Sequence, residues 1–148
     1  MSLAERIESD VVQAMKSKDA DKVSTLRMIK AAMTNHQIEK NTNTIKDEEV
    51  VSILQKQAKQ RRESIESYEK AGRKELAAKE AKELDILSAY LPKQLTDEEI
   101  TILAQKAVAE SGAKAKADAG PVMKLLMPAV KGKADGKKVN QIVMGLLS

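Results

Sequence analysis

The sequence predicts an all-α protein in two parts, an N-terminal domain of about four helices and a small C-terminal bundle of about three. Three observations carry this reading. The apolar residues, 42% of the chain, are aliphatic: Phe, Trp and Cys are absent, and Tyr68 and Tyr90 are the only aromatic residues. Strands favour aromatic and β-branched clusters, whereas a composition rich in Ala, Lys, Glu and Leu favours helix. The apolar positions also recur every three to four residues, in runs closed by Gly, Pro or polar turns. A chain of 148 residues is long enough for one core or for two small helical units.

Each element follows from its caps and its stripe. Ser2 with Glu5 reads as a capping box, and Leu3, Ile7, Val11, Ala14 and Met15 form the first stripe, predicting a helix to about Lys18. Residues 18–21 cap a second helix with Val23, Leu26, Ile29 and Met33 on its face and His36 at its edge; residues 35–44, poor in apolar side chains, are expected to end it. Thr44 and Asp47, with acids at 48 and 49, start a long third helix over Asp47–Lys70, carrying Val50, Leu54, Ala58, Arg61, Ile65 and Tyr68 on one face. Gly72 stops it, and Leu76, Glu80, Leu84, Leu87 and Leu91 mark the fourth. Pro92 disfavours helix at Leu91, so the domain boundary falls there, giving domains 1–92 and 93–148. Thr96 with Glu99 reads as a second capping box for a fifth helix, with Ile100, Leu103, Ala107 and Val108, closed by Gly112. A sixth spans 118–129, with Pro121 in its first turn and Pro128 expected to end or kink it; Val139, Ile142, Val143, Leu146 and Leu147 make the last.

No catalytic, metal or cofactor site is legible. Without cysteine and with a single histidine, the chain offers no disulfide, thiolate zinc site or ligand cluster, and neither a P-loop nor a GxGxxG motif is present. Carboxylate pairs such as Glu80 and Glu83 read as solvated faces of Lys-rich helices, and His36 as a part-exposed packing or surface residue. The seven methionines read as core filler. The charged start and the lack of any apolar run of about 18 residues argue against a signal peptide or membrane partner, and the expected location is cytoplasmic.

The net charge of +4 is unevenly placed. Residues 112–138 hold seven lysines against two acids, Asp118 and Asp135, so an anionic partner is sought there. Around Gly132 and Gly136, Lys131, Lys133, Lys137 and Lys138 precede a helix N-terminus, where free N–H groups and the dipole favour an anion. A merely flexible charged turn fits the same residues. A second cluster, Lys56, Lys59, Arg61 and Arg62 with Arg73, offers a phosphate-tracking ridge, but interleaved acids and the apolar register of Arg61 favour an ordinary solvated helix.

The segments KQAKQRRESIESYEKAGR, ELDILSAYLPKQLTDEEI and GPVMKLLMPAVKGKADGKKVNQIV, in that order, resemble the YqeY family over essentially the whole chain. That family resembles the C-terminal tail of the GatB subunit of tRNA-dependent amidotransferases. The resemblance implies a four-helix domain followed by a three-helix one, and a non-catalytic accessory module that binds tRNA through shape and backbone. The implied nucleic-acid-binding residues are Lys124, Lys131, Gly132, Lys133, Gly136, Lys137 and Lys138, with Lys59, Arg62 and Arg73 from the long helix. Pro121 follows Gly120 where the family pattern implies Lys or Arg, which removes one phosphate contact. The alternative partner is a protein, an amidotransferase or aminoacyl-tRNA synthetase docked through a helical face. A role in a carbon–nitrogen ligase with glutamine as amido donor follows from the family's association alone, and no amidase motif accompanies it.

Overall fold

The computed structural model describes residues 1–148 as seven α-helices and one short 3-10 turn, with no strand. The chain divides into two compact units, Met1–Leu91 and Pro92–Ser148.

In the first unit, α1 (Leu3–Lys16) opens on the expected capping box: Ser2 Oγ accepts from the Glu5 N–H at 3.2 Å and the Glu5 carboxylate accepts from the Ser2 N–H at 3.4 Å. It stops two residues before Lys18, which adopts φ +58° in the turn to α2 (Ala20–Glu39). Asp19 caps α2 by accepting from the Lys22 N–H at 3.2 Å. This helix continues through the stretch expected to end it, because a formed helix propagates without an apolar face; Ile38 is 71% exposed. Asn41, at φ +52°, follows its end, in a conformation that asparagine tolerates better than most residues.

The third helix, α3 (Asp47–Lys70), has the predicted bounds but not the predicted cap. Lys46 is its N-cap without a side-chain bond, and Asp47 instead accepts from the Leu3 N–H at 2.9 Å, tying the starts of α1 and α3 together. The fourth, α4 (Lys74–Ser88), keeps most of the expected stripe: Leu87 is buried, Leu84 and Leu91 pack against the core, and Leu76, in the first turn, is exposed, while Ala77 and Glu83 are buried as well. Glu83 is accommodated on this face by Arg61, which lies inside on α3 and pairs with both Glu80 and Glu83. Glu80 and Glu83 are therefore not a solvated pair. The core joins Ile7, Val11 and Ala14 of α1 to Leu26, Ile29 and Met33 of α2, to Val50, Leu54 and Ala58 of α3, and to Leu87 and Tyr90.

In the second unit, α5 (Asp97–Ser111) is capped by Thr96, whose hydroxyl accepts from the Glu99 N–H at 3.2 Å, and ends at Gly112 with φ +71°. A 3-10 turn (Lys116–Asp118) leads into α6 (Ala119–Val130), and α7 (Gly136–Leu146) closes the chain. Pro121 lies in the first turn of α6 as expected. Pro128 does not terminate α6, which runs two residues further to Val130. The proline lacks only the N–H that would reach the Lys124 carbonyl, and the next bonds survive, with the Lys131 N–H donating to Met127 at 2.9 Å. Nine residues, from Ile100 on α5 through Val122, Leu126 and Val130 to Val139, Val143 and Leu147, make an all-aliphatic core. No helix of the chain is long and apolar enough to cross a membrane.

Candidate nucleic-acid interface

The basic turn of the second unit is built outward from Val130, which is 2% exposed and seats the end of α6 in the core. Its carbonyl accepts from the N–H groups of Lys133 at 2.9 Å and Ala134 at 3.1 Å, curling the chain back on itself. That curl passes through Gly132, which is buried at φ +78°, a region where an L side chain is strained. Asp135 then caps α7, its carboxylate accepting from the Lys137 N–H at 3.2 Å. Both glycines of the motif thus serve the turn, Gly132 inside it and Gly136 as the first residue of α7.

This arrangement leaves Lys131, Lys133, Lys137 and Lys138 exposed around one helix N-terminus. Lys124, also exposed, lies on α6 seven residues before Lys131, two turns or about 10 Å along the axis. Lys138 is partly engaged: its ammonium lies 2.8 Å from Asp97, with the two side chains 50% and 59% exposed. A surface pair of this kind holds its partners weakly, so Lys138 stays available to a stronger anion. The backbone of the turn is bonded from the start of the unit. The Leu95 N–H donates to the Lys133 carbonyl at 2.8 Å, and the Gln94 amide to the Gly132 carbonyl at 3.0 Å. Asp97, Gln94 and Leu95 carry no motif that points to the turn, and sequence reasoning missed them.

The long-helix candidates belong to the first unit. Lys59 and Arg62 are exposed one turn apart on α3, and Arg73 is exposed beyond its end, where its N–H donates to the Tyr68 carbonyl at 2.8 Å. Arg61 does not join them in a phosphate-tracking ridge. It is 6% exposed, one guanidinium nitrogen donates to Glu80 at 3.0 Å and to Glu83, and the other lies 3.4 Å from the Met28 sulfur. His36 pairs with Glu49 across α2 and α3, and this hydrogen bond holds the Glu49 carboxyl below its ordinary value of 4.5. At the end of α6 away from the turn, Asp118 accepts from the N–H groups of Lys114 and Ala115, both at 3.1 Å, which keeps it ionised below the usual range. No group of three or more His, Cys, Asp or Glu side chains converges in a way that would hold a metal ion.

A protein of Pyrenophora tritici-repentis called "Altered inheritance of mitochondria protein 41, mitochondrial" is 33% identical over 145 residues, 93% of this chain and 79% of its own length. The protein of the same name from Eremothecium gossypii is 33% identical over 85 residues, 57% of this chain and 46% of its own. An uncharacterized protein of Schizosaccharomyces pombe is 29% identical over 91 residues, 62% of this chain and 73% of its own. The sequence model of the Yqey-like protein family matches residues 4–147, and the chain therefore belongs to the YqeY family.

Proposed function

We propose that the chain is a tRNA-binding accessory module without chemistry of its own, which reads the shape and backbone of folded RNA. The observation that carries this reading is the turn of residues 131–138, where four exposed lysines surround a buried, left-handed glycine and a capped helix N-terminus. Duplex RNA is recognised mainly through phosphates and 2′-hydroxyls, contacts that fixed lysines and backbone N–H groups supply without aromatic stacking. The compartment would be one that holds tRNA, the cytoplasm or, as the names of two relatives suggest, a mitochondrial one.

The test is retention of bulk tRNA on a filter as salt is raised. Neutralising about four phosphates gives a slope of log affinity against log salt of roughly −3 to −4. The triple variant Lys133→Glu, Lys137→Glu, Lys138→Glu should lose retention by more than about tenfold. Salt-independent binding, or full retention by the variant, defeats the reading. A protein-docking role is the second reading, favoured by Ile102, Leu125 and Met127, which are 65%, 48% and 40% exposed in the same unit. It expects an amidotransferase or aminoacyl-tRNA synthetase to bind in the absence of RNA and to bind the triple variant equally well.

A further inference from the structure

The lysine-bearing turn has no regular secondary structure between α6 and α7, yet two of its consecutive carbonyls are occupied by one short segment at the start of the second unit. The Gln94 carboxamide nitrogen donates to the Gly132 carbonyl at 3.0 Å and to the Pro92 carbonyl at 2.7 Å. Next to it, the Leu95 N–H donates to the Lys133 carbonyl at 2.8 Å. Pro92 fixes its own φ near −65°, which stiffens the base from which the carboxamide reaches. The two hydrogens of one NH2 group thus span from the Pro92 carbonyl to the turn.

What these bonds hold is the orientation of the peptide units on either side of Lys133, and with it the direction in which Lys131 and Lys133 project. The five residues between α6 and α7, with Gly132 second among them and Gly136 directly after, have high backbone freedom, and a binding surface on them would otherwise be ordered at the expense of affinity. Gly132, at φ +78°, takes a conformation that glycine adopts about as readily as its mirror form, and the bonds from Gln94 and Leu95 add to the two Val130 bonds that select it.

We infer that Gln94 is a positioning residue for the basic turn: its carboxamide holds residues 132–133 in one conformation before a polyanion arrives, and so sets the affinity of lysines it never touches. This rests on the tRNA-binding reading for its consequence, though not for its geometry. The role requires a donor. Methionine at 94 matches the length of glutamine and cannot donate, and glutamate matches its shape and, when ionised, only accepts. Gln94 itself is solvent-exposed, so neither replacement disturbs a core.

The experiment uses the full chain with Gln94→Met and Gln94→Glu, read by amide hydrogen exchange and by retention of bulk tRNA. Exchange at Leu95, Lys133 and Ala134 is expected to quicken by about tenfold in both variants, while amides in the α5 and α7 core keep their rates. Retention by Gln94→Met should weaken three- to tenfold with its salt slope unchanged, since no charge has been lost; removing a phosphate-bound lysine would lower that slope by about 1. Unchanged exchange in both variants overturns the inference, as does faster exchange with unaltered retention by Gln94→Met. If the wild-type chain retains no tRNA, the proposed function falls, and the exchange rates still decide whether Gln94 holds the turn.

Discussion

The two units place their basic side chains in opposite ways. In the first, a cation is taken inside: Arg61 and Glu83 are 6% and 7% exposed, and Glu80 completes the set. In the second, every core residue is aliphatic, and the cations of its turn face solvent. The placement follows from register. Arg61 falls in phase with Val50, Leu54 and Ala58 on α3, so its stem packs with them and its head must find carboxylates where water is scarce. Lys131, Lys133, Lys137 and Lys138 fall in a turn and the first turn of a helix, outside any apolar stripe. A buried pair gains Coulomb energy and loses hydration, so its net contribution is small, but breaking one half of it is costly. The Arg61 Nε, buried without a partner, adds to that balance on the unfavourable side. The contrast implies that the first unit adds a charged cluster to the apolar packing of α3 on α4, whereas the second unit keeps charge out of its core and presents it to solvent.

Four substitutions probe the contrast, from the largest expected effect to the smallest. Arg61→Met should destabilise the chain by about 3–5 kcal/mol, because Glu83 stays buried with no cation; a chemical denaturation midpoint measures this, and adding Glu80→Gln and Glu83→Gln should restore part of the loss. A neutral result would mean that α4 turns its acids outward without cost. Gly132→Ala should cost about 1–2 kcal/mol through its left-handed φ, and should quicken amide exchange across 131–136 more than at Val143. Removing the His36 partner with His36→Ala should blunt acid unfolding followed by circular dichroism. Glu49 is depressed in the folded chain, so its contribution is present above its ordinary value of 4.5 and disappears as pH falls through the lower folded value. The variant should therefore lose less helix than the parent on going from pH 5 to pH 3, and an equal loss would show the pair to be idle. Asp97→Asn is the mildest. Stability should move by less than about 0.5 kcal/mol, while tRNA retention rises by about twofold at low salt as Lys138 is released.

Much of the helix layout was legible because it is written locally. Ser2 and Glu5, Gly72, Pro92, Thr96 and Gly112 are start and stop signals that act within a few residues, and α3 appears within the bounds they set. The errors arose where a distant partner decided the outcome. Arg61 could be read as a structural residue from its register, but its acids lie 19 and 22 residues away, so nothing local marks Glu80 and Glu83 as its partners. Asp47 starts α3 as its position suggests, but its carboxylate is taken by the Leu3 N–H, 44 residues from it. The basic turn was visible as lysines around glycines, since charge and left-handed conformation are both local properties. The bonds that shape it were not, because Gln94 reaches Gly132 over 38 residues and Asp97 resembles any acid in a first helical turn.

Tyr90 ends the first unit with its ring under the Arg6 guanidinium, 4.8 Å from the centroid, and its hydroxyl donating to Asp10 at 2.6 Å. Burial pushes that phenol above its ordinary value, and the acceptor carboxylate adds to the effect. Since Tyr68 and Tyr90 are the only ultraviolet chromophores among the side chains and both precede Pro92, intrinsic fluorescence and near-ultraviolet dichroism report on one half of the molecule alone. The half that carries the basic turn is optically silent, and its melting will be seen only in the backbone signal.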